Sequence, residues 1–413
     1  MLDKAEKPRG WLSSTSRLRM ALVALLLVIL LTASVGALLG RPRLATQRSQ
    51  TATMTPAAAQ PTQTATALPE PTNTSTPPLT DLTVYVVSQL DDSLLALQAN
   101  SGKLLWSYKI GNTLSVLPAV ANGVIYATQD DGSLIALRTS DRSLLWRSMS
   151  LGSDSSLSTA ADGVLYFVSP LNGSLYAVRA SDGSVLWRVT GKPQISAVTV
   201  ANGVVYFGAG SVYAVRASDG SALWTFQGAM EAGSPPSVVQ GVVYISGGDS
   251  FSGLSGVYAL RASDGGLLWD YQVAGTPACH ACGGGSPMYT GPLQSVVDGV
   301  VYAGSGGGVV YALRANTGAL LWNYQPGGLF VTRPRVDQGM VYIGAEDGIH
   351  ALRADNGNPV WVYRSPSGTL FEADQVVFGG FQQVFALDGT TGAVFWQYGG
   401  SIMAAWLIGI DSM

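Results

Sequence analysis

From residue 82 onward, short apolar runs alternate with polar turn residues. The clearest runs are GVIYAT, GVLYFV, GVVYFG, GVVYIS, GVVYAG and GMVYIG, all β-branched and aromatic in character. Runs of this length bounded by turn residues predict strands. Each starts at the glycine after Asn122, Asp162, Asn202, Gln240, Asp298 or Gln338. Asn-Gly and Asp-Gly supply the positive φ angles of two-residue hairpins. A second turn follows at Asp131-Gly132, Asn172-Gly173 and Asp347-Gly348, and a third at Asp182-Gly183, Asp219-Gly220, Asp264-Gly265 and Asn356-Gly357. Three turns join four antiparallel strands. Every unit then ends on a tryptophan: Trp106, Trp146, Trp187, Trp224, Trp269, Trp322, Trp361 and Trp396. Their intervals are 40, 41, 37, 45, 53, 39 and 35 residues, which makes eight copies with a period near forty. Four-stranded units of that length read as propeller blades. The prediction for residues 81–413 is an all-β fold, an eight-bladed β-propeller of four-stranded antiparallel blades.

The ends of this region predict how the ring closes. The first copy begins at Asp81-Leu-Thr-Val-Tyr-Val-Val, with nothing before it to serve as a first strand. After Trp396 the chain continues as SIMAAWLIGID, Ser401–Asp411, an apolar segment with no copy of its own. Residues 401–411 are therefore expected to be the closing inner strand of blade 1. Such closure removes the open sheet edge through which chains aggregate.

The N-terminal region has a different pattern. Met20–Gly40 is uncharged over 21 residues, enough to cross a bilayer as a helix. Five Lys/Arg precede it and three follow it closely, which points the N-terminus into the cytoplasm. The expected order is a cytoplasmic tail at 1–19, a transmembrane signal-anchor helix at 20–40, a Thr/Pro/Ala-rich disordered linker at 41–80, and the propeller outside the membrane. A cleaved signal peptide is the rival reading, and the length of the run favours the uncleaved anchor. The linker suits either an O-glycosylated stalk or an unmodified spacer.

Composition narrows the function. Gly numbers 50 and charged residues are only 12%, which argues against a helical bundle. Residues 1–80 carry eight basic and three acidic residues, a balance of +5; since the whole chain is -3, residues 81–413 carry -8. An acidic globular part disfavours nucleic acid as a partner.

The pattern GVVYxG…xYALxAxxGxxLW resembles the pyrroloquinoline quinone (PQQ) repeat, over about 330 of the 413 residues. By this resemblance the eight tryptophans occupy the family's docking position, where an indole wedges between blades. One branch of the family, the quinoprotein dehydrogenases, holds PQQ and Ca²⁺ over the axis. The other branch, the BamB-like propellers, binds no PQQ and acts as a protein-interaction scaffold in the cell envelope. The dehydrogenase branch implies long insertions, Ca²⁺ ligands, a catalytic Asp and usually adjacent cysteines. Here the propeller has three glutamates, Glu231, Glu346 and Glu372, and no Cys-Cys pair. BamB-like proteins of the lipid-anchored type use an N-terminal cysteine, which is missing near this end of the chain. The expectation is a non-enzymatic, membrane-anchored extracytoplasmic scaffold with no cofactor and a protein or glycan partner in the envelope. The alternatives are a PQQ- and Ca²⁺-dependent dehydrogenase and an extracellular glycan-binding module.

Three further groups are candidates. Cys279 and Cys282 flank His280 in the irregular stretch between copies five and six. A loop-stapling disulfide is the preferred reading there, with free thiols or a redox or metal role as alternatives. Arg138, Arg179, Arg216, Arg261, Arg314 and Arg353 share one repeat position, which reads as local ion pairing rather than an anion ring. Arg333, Arg335, His350 and Phe371-Glu372 depart from the repeat. They either line the central funnel or reflect drift within the repeat, and drift is preferred.

Overall fold

A computed structural model describes residues 63–64, 79, and most of 82–412; outside it lie 1–62, 65–78, 80–81, 89–92, 110–118, 130, 153–154, 170, 193–194, 196–197, 228–234, 250–253, 274–292, 306–307, 328–331, 365–368, 374, 381–382, 400–404 and 413. The described residues belong to one compact unit, Ala59–Met413. The 20–40 segment predicted to cross the membrane is outside them, and no described helix is long and apolar enough to do so.

The described chain forms eight antiparallel sheets. Blade 4 shows the plan. Its strands are Thr199–Ala201, Val204–Gly208, Val212–Arg216 and Ala222–Phe226, paired in chain order. Blade 1 alone draws on both ends of the region. Ala405–Ser412 pairs antiparallel with Leu82–Ser88, from Leu82 opposite Ser412 to Ser88 opposite Ala405. First strands of most neighbouring blades touch one another, including that of blade 8 with Ala405–Ser412 and the latter with that of blade 2. The first strands therefore line the axis, and the fourth strands form the outer rim. One difference from expectation falls in the linker: Gln63–Thr64 adds a short parallel strand to the outer edge of blade 6, opposite Tyr324 and Gln325. An unpaired outer edge readily accepts an extended segment.

The turns adopt the predicted geometry. Asn122, Asp162, Asn202, Gln240, Asp298 and Gln338 have φ between 45° and 51°, each followed by a glycine at positive φ. Second and third strands are buried on both faces, as in Leu165–Val168 and Leu175–Val178. Eight apolar clusters fill the eight seams between blades. At the seam of blades 3 and 4, Tyr166, Leu175 and Trp187 pack against Val205, Phe207 and Val215. At the closing seam, Phe378 and Trp396 of blade 8 pack against Val84, Val86 and Leu97 of blade 1. Each such side chain taken from water contributes about 1.5–3 kcal/mol.

A repeated lock crosses these seams. Among the described residues, the indole N–H of seven of the eight repeat tryptophans donates to a carbonyl in the next blade. Trp187 donates to Ala217 O at 2.8 Å, Trp224 to Ala262 O at 2.8 Å, and Trp396 to Ala99 O at 2.7 Å across the closing seam. Trp146, Trp269, Trp322 and Trp361 do the same to Ala180, Ala315, Ala354 and Gly389. The ring lies against the glycine of the next blade's third turn. A Cβ on Gly220 would sit 2.8 Å from Cε3 of Trp187, inside any real contact. That glycine is thus required twice, for φ of +72° and for room.

Blade 2 breaks the rule. Arg142 stands where the other third turns have glycine, at φ of +61°. Among the described residues Trp106 makes no matching hydrogen bond, and the Arg142 guanidinium lies 5.6 Å from its ring centroid. Trp106 still packs in the seam, with a cation–π contact where the other seams have the glycine.

The seam of blades 6 and 7 carries a polar variant. At three other seams a fourth-strand aromatic meets a third-strand aromatic of the next blade: Phe226 meets Tyr258, Tyr271 meets Tyr311 and Tyr363 meets Phe385. Here Tyr324 meets His350. His350 is fully buried, with Tyr324 Oη 3.0 Å from Nδ1 and Asp347 Oδ1 2.8 Å from Nε2. A carboxylate only accepts, so Nε2–H donates to Asp347 and Nδ1 accepts from the phenol. Burial lowers the histidine pKa, against the pull of Asp347.

Three outcomes follow from the seams. Gly220→Ala and Gly203→Ala both place Ala at φ of +73° or nearly so, but nothing lies within 4 Å of a Cβ at Gly203. Gly220→Ala is expected to be the more destabilising by about 1–3 kcal/mol, from overpacking alone. Equal losses in thermal or denaturant unfolding would refute the double role of the glycine. Arg142→Gly relieves a strained φ and opens the seat for Trp106, so it should stabilise by about 1 kcal/mol. A fall in the thermal midpoint would mean that the cation–π contact outweighs both gains. For His350 the folded pKa lies below the unfolded value near 6.5. Its contribution is complete above that pH and is lost as pH falls through it toward the folded pKa. His350→Tyr, which restores the repeat residue, should flatten the fall in thermal midpoint between about pH 7.5 and 5.5. Identical pH profiles for the two proteins would rule this out.

Candidate functional site

The first strands place one residue of each blade at a common level, opposite the aromatic residue of the second strand. In blades 4, 5 and 6 this residue is Thr199, Ser237 or Ser295, opposite Tyr206, Tyr244 and Tyr302. Small hydroxyls suit the narrow side of the ring. Thr199 Oγ1 donates to Pro236 O at 2.5 Å and Ser295 Oγ donates to Pro334 O at 2.6 Å, each in the following blade. In blade 7, whose first strand is Arg335–Asp337, the same place holds Arg335, opposite Tyr342.

The substitution brings charge to the axis. Arg335 Nε lies 3.7 Å from Oε2 of Glu372, on the first strand of blade 8, Thr369–Ala373. That separation is an ion pair but too long for a hydrogen bond. Arg333, two residues earlier, reaches back to blade 5, with Nη2 3.4 Å from Ser237 Oγ. Oε2 of Glu372 is buried and accepts no hydrogen bond. Burial raises the Glu372 pKa, opposed by Arg335. Burial, then the charge of Arg335, lowers that of Arg333. At the far end of the strand Asp337 accepts from the Gln375 amide at 3.3 Å, and Gln375 Nε2 donates to Gln338 at 2.6 Å. Half-buried charges of both signs thus converge where the other blades are nearly neutral.

The remaining sequence candidates fall elsewhere. His350 does not line the funnel; it lies in the seam of blades 6 and 7, because the third strand faces a neighbouring blade rather than the axis. Arg333, Arg335 and Glu372 do come together, against the reading of drift. Five of the six repeated arginines pair within their own turns, Arg314 having no acidic residue in its turn: Arg138 with Asp141 at 3.3 Å, Arg179 with Asp182 at 3.1 Å, Arg261 with Asp264 at 2.8 Å. Arg216 and Arg353 make looser pairs with Asp219 and Asp355. These groups are half exposed, and such pairs contribute little. Hydrogen bonds from the Ser184 hydroxyl and amide hold the Asp182 carboxyl down at about 2. The tryptophan faces are engaged with second-strand tyrosines, at 5.9 Å for Trp187 and Tyr166. Cys279, His280 and Cys282 lie outside the described residues.

The site residues that sequence reading missed are Ser237, Asp337 and Gln375. Ser237 shares a repeat column with Arg335, so aligning the copies strand by strand was the available signal. Among the described residues no three His, Cys, Asp or Glu side chains gather as metal ligands. Glu372 is engaged by arginine rather than by other carboxylates. The described residues therefore do not fit Ca²⁺, which takes six to eight oxygens, and no step through PQQ and Ca²⁺ is derived. A crevice of about 130 Å³ between blades 2 and 3, beside Tyr126 and Asp162, is below the size of an ordinary ligand pocket.

A second surface feature recurs on the rim. Each fourth strand has a bulge just before its tryptophan: Ala177 faces Trp187, then Val178 faces Val185, and Leu186 is skipped. A bulge interrupts the alternation of faces, so two consecutive residues turn outward. Leu104 and Leu105, Leu144 and Leu145, Val185 and Leu186, Leu223, and Leu267 and Leu268 are all exposed, Leu144 by 59%. This apolar row runs across blades 1 to 5.

With this geometry in place, comparison with known proteins is direct. The profile of the family described as outer membrane protein assembly factor BamB matches residues 36–190 and 286–401. The chain is similar in structure to BamB from Moraxella catarrhalis, with a TM-score of 0.52 and 16% identity over 74% of this chain and 93% of that one. It is similar to the computationally designed protein Ika8, with a TM-score of 0.61 and 15% identity over 84% and 99%. A quinohemoprotein alcohol dehydrogenase from Pseudomonas putida HK5 matches with a TM-score of 0.50 and 17% identity over 69% of this chain and 66% of that one. At such identities the likeness is one of fold. In sequence, tetrathionate hydrolase of Acidithiobacillus ferrooxidans is 30% identical over 141 residues, which is 25% of this chain and 27% of that protein. The chain thus spans about a quarter of the length of that curated relative. One fold carries an assembly factor and an alcohol dehydrogenase, so fold does not choose between them. The matched profile, together with the eight-bladed, four-stranded ring, shows that the chain belongs to the PQQ-repeat family of BamB-like β-propellers.

Proposed function

We propose that this protein is a non-catalytic interaction scaffold, anchored in the membrane through residues 20–40 and presenting its propeller outside the cytoplasm to a protein partner in the envelope. The observation that carries this reading is the apolar row on the rim of blades 1 to 5. Exposed apolar pairs repeated on five successive blades favour contact with another protein. A Thr/Pro-rich spacer at 41–80 would give the propeller reach from the bilayer, at about 3 Å per residue where extended. Membership of the BamB-like family supports the same role.

The test uses the full chain in intact cells. A photoreactive residue replaces Leu144 or Leu186 on the rim, or Arg179 on a turn as the control. Discrete crosslinked products are expected from the two rim sites and not from the control, and Leu145→Asp should reduce them. No discrete product from the rim, or equal products from all three positions, would contradict a rim scaffold. In the same cells, protease added from outside should cut within 41–80 and release the propeller. Full protection of the linker would contradict the outward orientation.

A further inference from the structure

The outer edge of blade 6 carries an occupant. Its fourth strand, Leu320–Gln325, is followed outward by the parallel strand Gln63–Thr64. In that blade the apolar pair Leu320 and Leu321 is half-buried, whereas the pairs of blades 1, 2, 3 and 5 are exposed. The backbone register shows how such an edge takes a strand. Along a strand in an antiparallel sheet, successive residues turn their N–H and C=O groups to opposite neighbours. In the third strand of blade 2, Ser133–Arg138, the Arg138 N–H donates to Ser143 O and the Leu134 N–H to the Ser148 hydroxyl, both toward the fourth strand. Ala136 therefore faces the same way, and Trp146 opposite it is turned inward. Arg147, the next residue, points its N–H and C=O out of the sheet edge. The same alternation in blade 6 turns Asn323 and Gln325 outward, where Gln63–Thr64 is paired.

Blade 2 has the most open edge of this kind. Its fourth strand, Leu144–Ser150, is seven residues long, and among the described residues no strand pairs beyond it. Leu144 is 59% and Met149 73% exposed, more than any other large apolar residue of the fourth strands. Proteins commonly guard such an edge with a charged side chain. Here the Arg147 guanidinium is held back against the blade, with Nη2 2.6 Å from Asp131 Oδ2 and Nε 2.9 Å from Ser133 Oγ. We propose, resting on the scaffold reading above, that the outer edge of blade 2 is the docking site for an extended segment of the protein partner. That segment adds as a fifth strand along Leu144–Ser150 and lays apolar side chains over Leu144 and Met149. The chain's own Gln63–Thr64 on blade 6 is the internal example of the same pairing. In strand addition the main-chain hydrogen bonds supply affinity and the flanking side chains supply selectivity.

The test is photo-crosslinking of the full chain in intact cells, with a photoreactive residue at Met149 and two substitutions compared at Arg147. Arg147→Ala removes the side chain and keeps the outward N–H. Arg147→Pro removes both, and proline is tolerated on an edge strand where the N–H makes no bond within the sheet. The discrete product is expected to persist with Arg147→Ala and to fall about fivefold or more with Arg147→Pro. Thr225→Pro, at the equivalent place in blade 4, is the control and should leave the Met149 product unchanged. Equal yields from Arg147→Ala and Arg147→Pro would overturn the added strand and leave the scaffold standing. Absence of discrete products from Met149, Leu144 and Leu186 alike in the otherwise unsubstituted chain would overturn the scaffold reading and the added strand with it. Should Arg147→Pro fail to fold, hydrogen exchange decides. In the product crosslinked through Leu186, backbone amides of residues 144–150 should exchange more slowly than in the free protein, and unchanged rates would overturn the proposal.

Discussion

The ring is held by the fit of an indole against a glycine in the neighbouring blade. A propeller has no continuous core; each blade is a thin sheet whose two faces must be covered by its neighbours. The eight seams are therefore the core. In seven of them, among the described residues, the tryptophan ring covers a third-turn glycine while its N–H reaches a carbonyl of the same turn. One contact thus fixes packing, hydrogen bonding and turn conformation together. The final contact, Trp396 on Ala99 and Gly102, joins residues almost three hundred positions apart and works beside the strand that the C-terminal segment gives to blade 1.

Much of this was legible from the sequence because the determinants are local and repeated. Asn-Gly and Asp-Gly turns specify hairpins wherever they occur, and the tryptophan interval gives the blade count. The outward Leu pair was less legible. Two adjacent apolar residues before a tryptophan look like a buried run, and only the bulge register shows that both face solvent. The axial cluster was legible as individual departures but not as a cluster. Arg333, Arg335 and Glu372 belong to two blades, and Ser237 to a third; only ring closure brings them together. His350 shows the converse. Its departure from the repeat suggested the funnel, yet third-strand positions face a neighbouring blade, so it became a seam residue.

These observations separate structure from function in a useful way. Features that recur around the ring, such as the tryptophans, the turn glycines and the Arg–Asp turn pairs of five blades, serve the ring. Those confined to part of the ring are where function is to be sought. The outward apolar pairs lie mainly on blades 1 to 5, and the axial charges on blades 7 and 8 with a contact to blade 5. An assembly factor and a dehydrogenase share this fold, and the residues that break the symmetry distinguish uses of it.

The central claim is that indole docking closes the seams, and hydrogen exchange at the indole N–H groups measures it most directly. Resolved by NMR and assigned by single Trp→Phe substitutions, Trp146, Trp187, Trp224, Trp269, Trp322, Trp361 and Trp396 should exchange slowly, and Trp106, lacking the bond in the seam with Arg142, should exchange fast. Fast exchange at most of the seven, or protection of Trp106 equal to theirs, would contradict the account.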